Sequence, residues 1–171
     1  MTARKTTNSI RPGLHVLIVD DDPNVLRDVS TRLNRENHRV SVFSRASGVR
    51  QLVRVLKPQV VLIDVLMPDM NKRILLELLS ACRRSEEQPI VILHSRLSVR
   101  MLKTLVNVGN AAGVIQKTKS DIEFMLAFNA IVERARAPHA RFLSPSSTSG
   151  THRIPTLADE DVEELRTGST R

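Results

Sequence analysis

An α/β fold, a doubly wound five-stranded parallel sheet with helices on both faces plus a C-terminal tail, is predicted by three observations. Short aliphatic runs alternate five times with segments of helical spacing between Leu14 and about Ala137. Two of those runs, VVLI and IVIL, are apolar without a break, as strands covered on both faces must be. Pro58 and Pro89 stand just ahead of strands, where they stop the preceding helices.

Element by element, strands are expected at residues 14–19, 39–43, 59–63, 90–93 and 113–116. The helices between them show apolar stripes at three- and four-residue spacing. Val25, Leu26, Val29 and Leu33 form the first, and Val49, Leu52, Val53 and Leu56 the second. Leu75, Leu78, Leu79 and Cys82 form the third, and Val99, Leu102 and Val106 the fourth. Ile122, Met125, Leu126 and Val132 contribute to the fifth. Residues 1–13 carry Arg4, Lys5 and Arg11 and no acid, and read as a flexible basic arm. Residues 138–171 open with a Ser/Thr/Pro-rich linker. A short acidic helix is expected near residues 156–166, with Thr156 as its cap and Leu157, Val162 and Leu165 on a thin apolar edge.

Composition narrows the function. Hydrophobic residues make up 41% of the 171, enough for one core, while aromatics make up 2%, with no Trp or Tyr. The core is therefore expected to be Val, Leu, Ile and Met, and single-strand nucleic-acid binding lacks stacking platforms. The net charge of +8 sits mostly in the middle of the chain and reads as a solvated Arg-rich surface. A lone cysteine, Cys82, rules out an internal disulfide and points to a reducing, cytoplasmic setting. No apolar run reaches membrane-span length, and the N-terminus has no secretory pattern. His15, His38, His139 and His152 lack metal-ligand spacing and are expected at the surface.

Parallel α/β sheets bind ligands outside the carboxyl ends of their strands. There this sequence places Asp20, Asp21 and Asp22 after the first strand, Asp64 after the third, His94 and Ser95 after the fourth, and Lys117 after the fifth. Close carboxylates repel unless a cation lies among them, and oxygen-only ligands select a hard ion such as Mg²⁺. A carboxylate beside such a metal can act as nucleophile toward phosphorus, and a lysine can hold a phosphoryl oxygen.

The segments VLIVDDDP, VVLIDVLMPDM, QPIVILHSR and AAGVIQKT, in this order, resemble the four signature stretches of response-regulator receiver domains, over roughly residues 14–137. The resemblance implies a receiver (flavodoxin-like) fold and a phosphorelay function in the cytoplasm. It implies that Asp64 is the phosphoacceptor and that Asp20, Asp21, Asp64 and the Leu66 backbone carbonyl hold Mg²⁺. It also implies that Lys117 binds phosphate, and that Arg96, Arg100 and Lys103 lie on a partner surface. The expected donor is a histidine kinase or phosphotransfer protein, and the expected output is protein–protein interaction, since residues 138–171 are too few for a DNA-binding domain. No enzyme activity is expected beyond self-phosphorylation and self-dephosphorylation on Asp64.

Four positions depart from the family pattern. His94 replaces the usual Ser or Thr, Val114 the aromatic switch residue, Lys72 a loop glycine, and Thr118 a proline. Two readings of His94 stand side by side: a surface histidine at a strand end, or a phosphate-contacting donor in place of the hydroxyl. The same departures support an alternative function, a degenerate receiver that binds protein without phosphorylation.

Overall fold

A computed structural model describes residues 13–85, 88–98, 100–101, 111–117 and 120–137. Among the described residues the order is β1 (His15–Val19), α1 (Pro23–Arg35), β2 (Arg39–Phe43), α2 (Val49–Leu56) and β3 (Val60–Ile63), followed by α3 (Lys72–Arg84), β4 (Ile90–Ser95), β5 (Gly113–Gln116) and α4 (Asp121–Arg136). The stripe at Val99, Leu102 and Val106, the basic arm and the predicted tail helix lie outside the described residues.

Local chemistry sets the helix boundaries. Asp22 caps α1 by accepting the Asn24 N–H, with Pro23 in the first turn. Asn71 caps α3 by accepting the Ile74 N–H at 2.9 Å. Ser120 and Glu123 form a capping box at α4: the Ser120 N–H donates to Glu123 Oε2, and the Glu123 N–H to Ser120 Oγ. Lys72 is simply the first residue of α3 and is not among the residues with positive φ, so the loop glycine it replaces has no counterpart requirement here.

All strand pairs are parallel, in the order β2-β1-β3-β4-β5. The chain first winds outward from β1 to β2, then returns past β1 to β3 and onward. That reversal opens a crevice at the carboxyl ends of β1 and β3. Helices α1 and α4 pack together on one face, and α2 and α3 on the other. The core under α1 and α4 takes Val16 and Ile18 from β1, Val60 and Leu62 from β3, Ile92 from β4 and Ile115 from β5.

Three expectations change at the level of packing. The largest fully buried side chains are Phe124 and Phe128 of α4, so two of the few aromatics belong to the core. Ile122 and Leu126 are 75% and 66% exposed, which rotates the predicted stripe of this helix. DIEFMLAFNAIV is apolar on several sides, and the two phenylalanine rings have the most area to bury. His15 is buried and His38 half-buried, contrary to a surface placement. His15 Nε2 meets Ser41 Oγ at 2.9 Å while Arg39 donates to Nδ1, and His38 Nδ1 accepts the Leu14 N–H at 3.0 Å. Burial lowers both pKa values, His15 further through the Arg39 charge.

Candidate functional site

Strand alternation builds the site. Side chains two apart share a face, so Val16, Ile18 and Asp20 point the same way. So do Val60, Leu62 and Asp64, then Ile92 and His94, then Ile115 and Lys117. Asp20, Asp64 and Lys117 each stand one residue past a strand, yet the ladder still holds their backbones. The Asp20 N–H donates to Phe43 O at 3.1 Å, that of Asp64 to Val19 O at 2.9 Å, and that of Lys117 to Ser95 O at 3.2 Å.

The side chains meet as the sequence predicts. Lys117 Nζ donates to Asp20 Oδ1 at 3.0 Å and to Asp64 Oδ2 at 2.5 Å, and lies 2.8 Å from Asp20 Oδ2. The carboxylates of Asp20, Asp21 and Asp64 each place an oxygen within 4.8 Å of the others, Asp21 at the exposed edge. Asp64 Oδ1 accepts the Leu66 N–H at 2.9 Å, folding the loop after β3 back over the strand end. Leu66 itself is 40% exposed. Asp20 Oδ1 also accepts the Asp22 N–H.

Burial is the main influence on the ionised groups here. It raises the Asp20 pKa, against the opposing pull of Lys117. It also works against the Lys117 ammonium, but hydrogen bonds to Asp20 and Asp64 outweigh it and raise the lysine pKa. Asp20 Oδ2 is buried without a well-aligned hydrogen bond. An oxygen-only set of three acids within ligand distance of one another suits a hard divalent cation such as Mg²⁺.

Asp22 is set apart from the other two acids. It caps α1, and its Oδ2 lies 3.4 Å from Arg96 Nη2 across the rim. Its pKa is lowered first by the Asn24 N–H. Arg96 and Arg100 are exposed, and Lys103 lies outside the described residues, as does Thr118.

His94 is not a surface residue at a strand end. β4 runs two residues beyond the predicted boundary, and His94 pairs with Ile115 and Ser95 with Gln116. At 3% exposed, the imidazole is packed edge-on against Phe124, with ring centroids 5.6 Å apart. Its Nδ1 faces Asp20 Oδ2 at 4.0 Å, too far for a hydrogen bond, and has no other partner. Burial, aided by the Lys117 charge, lowers its pKa to about 4. Val114 is half-buried beside Leu93, and Gln116 Nε2 donates to Leu97 O at 3.2 Å, tying β5 to the loop after β4. The Asp20–His94–Phe124 column was not legible in the sequence.

Comparison with known proteins places this geometry. The transcriptional regulatory protein KdpE of Mycobacterium tuberculosis is 26% identical over 122 residues, covering 71% of this chain and 52% of KdpE. The DNA-binding response regulator MtrA of Mycolicibacterium smegmatis is 31% identical over 81 residues, covering 47% of this chain and 34% of MtrA. The chain thus spans about half or less of the length of these curated relatives. Among solved structures, the chemotaxis response regulator CheY4 of Vibrio cholerae superposes with a TM-score of 0.61 at 18% identity, covering 70% of this chain and 98% of CheY4. A CheY-like receiver domain protein from Methanospirillum hungatei gives 0.62 at 19% identity, covering 71% and 95%. The response regulator receiver domain matches residues 16–129, more than half of the sequence, and the chain belongs to that family of two-component signalling domains.

Proposed function

We propose that the chain is a phospho-accepting signalling domain in which Asp64 takes a phosphoryl group from a histidine kinase or phosphotransfer protein. The observation that carries this reading is the bridge of Lys117 between Asp20 and Asp64 at the point where the sheet reverses its winding. Mg²⁺ held by Asp20, Asp21, Asp64 and the Leu66 carbonyl would neutralise charge on the transferring phosphoryl group. Asp64 supplies the attacking carboxylate oxygen: its bond to phosphorus forms as the bond to the donor's histidine nitrogen breaks, and that nitrogen keeps the electron pair. Lys117 is then free to turn its ammonium from the carboxylates to a phosphoryl oxygen.

The proposed output is altered protein binding, with no enzyme activity beyond gain and loss of phosphate on Asp64. KdpE and MtrA are named as transcriptional or DNA-binding regulators, but the match to them covers about half of their length or less. The test is incubation of the full chain with a small acyl phosphate and Mg²⁺, read by intact mass. A phosphate-sized gain that disappears in Asp64→Asn or on chelation supports the reading. A second reading, a receiver that binds protein without phosphorylation, is favoured by His94 packed against Phe124 where a hydroxyl would move. No mass gain under any condition would select it.

A further inference from the structure

Charge is unevenly shared between the two faces of the sheet. On the α1 and α4 side, bases and acids are interspersed and pair: Arg32 with Asp121 at 2.7 Å, Arg27 with Asp28 at 3.4 Å. Among the described residues the exposed charges on the α2 and α3 side are mostly basic, and Asp69, beside the start of α2, is taken up by the Ala46 and Ser47 N–H groups. Arg45 precedes α2, Arg50 and Arg54 lie on it, and Arg73, Arg83 and Arg84 lie on α3. Glu77 is the one exposed acid of these two helices, and it is engaged by Arg73 at 2.9 Å.

The fold gives no reason for this arrangement. Arg50 and Arg54 are one turn apart on a helix of eight residues, where like charges repel and weaken it. That helix starts at Gly48 with no side-chain cap, so it has little local stability to spare. Among the described residues no carboxylate pairs with Arg45, Arg50 or Arg54. Val55, beside Arg54, is 70% exposed, and Leu76 of α3 is 38% exposed.

We propose that the α2–α3 face docks an acidic, amphipathic helical segment of a protein partner. Carboxylates one turn apart on that segment would answer Arg50 and Arg54, and an apolar edge would cover Val55 and Leu76. The exposed aliphatic residues favour a protein over a nucleic acid, because a phosphate backbone gains nothing from them. Neither helix carries an aromatic side chain for base stacking. None of the side chains named on this face belongs to the Asp64 cluster, so the proposal does not require phosphorylation.

The test measures binding of the full chain by fluorescence anisotropy at physiological salt. The probes are a synthetic helical peptide with glutamates one turn apart and a leucine edge, the same peptide with serines for leucines, and a short DNA duplex. The expected result is at least about tenfold tighter binding of the leucine-edged peptide than of either control, a ratio worth one decade of Kd. Arg50→Glu with Arg54→Glu should remove that binding, and Arg27→Glu with Arg35→Glu on α1 should leave it intact. Should the glutamate pair fail to melt cooperatively, Arg50→Gln with Arg54→Gln serves instead. Equal binding of the serine control, tighter binding of DNA, no peptide binding, or indifference to the α2 variants would each overturn the proposal.

Discussion

Asp64 and His94 stand at the carboxyl ends of neighbouring strands, face the same side of the sheet and are each 3% exposed, yet their surroundings are opposite. Asp64 is fully answered: Oδ1 takes the Leu66 N–H and Oδ2 takes Lys117. His94 has an edge-on phenylalanine and an Nδ1 with no partner. One position is held by polar partners, the other by packing that favours a neutral ring. Polar partners hold Asp64 and packing holds His94, so substitutions at the two positions test different interactions.

The largest effect should come from Lys117→Met. It leaves Asp20 and Asp64 buried without their counter-charge, which costs on the order of 3 kcal/mol. Added Mg²⁺ should restore part of that loss, because a cation among the acids replaces the ammonium. Urea unfolding with and without the metal checks this, and a variant as stable as the native chain would break the comparison.

Next in size is the pH response of His94. Its pKa falls from 6.5 to about 4 on folding. The stability contributed by the neutral ring is thus present above about pH 6.5 and is lost as pH falls toward 4. The loss amounts to roughly 3 kcal/mol at most, from the shift in pKa. His94→Thr should flatten the acid side of the stability profile by that contribution while leaving the parts due to His15 and His38. If both profiles are superimposable, the imidazole is not held neutral by its surroundings.

Much of this was legible in the sequence. Asp20, Asp64 and Lys117 could be placed because strand ends and two-residue alternation are local properties. Asp22, grouped in the sequence with Asp20 and Asp21, proves to be the cap of α1. The setting of His94 could not be read, because the last two residues of β4 are ordered by pairing with Ile115 and Gln116, which are distant in sequence. The register of α4 was hidden for a related reason: its apolar residues surround the helix, and only the sheet beneath selects Phe124 and Phe128. The partners that bury His15 and His38 lie across strands β1 and β2, beyond the reach of any spacing rule.

A smaller effect separates the three consecutive acids. Asp21→Ala should abolish the Mg²⁺-dependent change in a fluorescence or calorimetric titration. Asp22→Ala should lower thermal stability through the lost α1 cap yet leave the metal titration unchanged. A titration insensitive to Asp21, or one sensitive to Asp22, would reassign the ligands.

The smallest effect concerns response rather than chemistry. With His94 wedged against Phe124 and no ring at Val114, metal and phosphodonor should move few amide resonances around Val114 and Gln116. His94→Thr should enlarge those shifts without changing the phosphorylation rate. Equal shifts in both proteins would make His94 a bystander.

The central claim is that Asp64 is where phosphorus is held, and borohydride trapping addresses it most directly. The full chain is treated with a small acyl phosphate and Mg²⁺, reduced with borohydride and digested. An aspartyl phosphate is reduced to homoserine, so the peptide spanning Val60 to Met70 should carry that change at position 64 and nowhere else. Unmodified Asp64 after treatment, or a reduced residue at another acid of the cluster, would contradict the account.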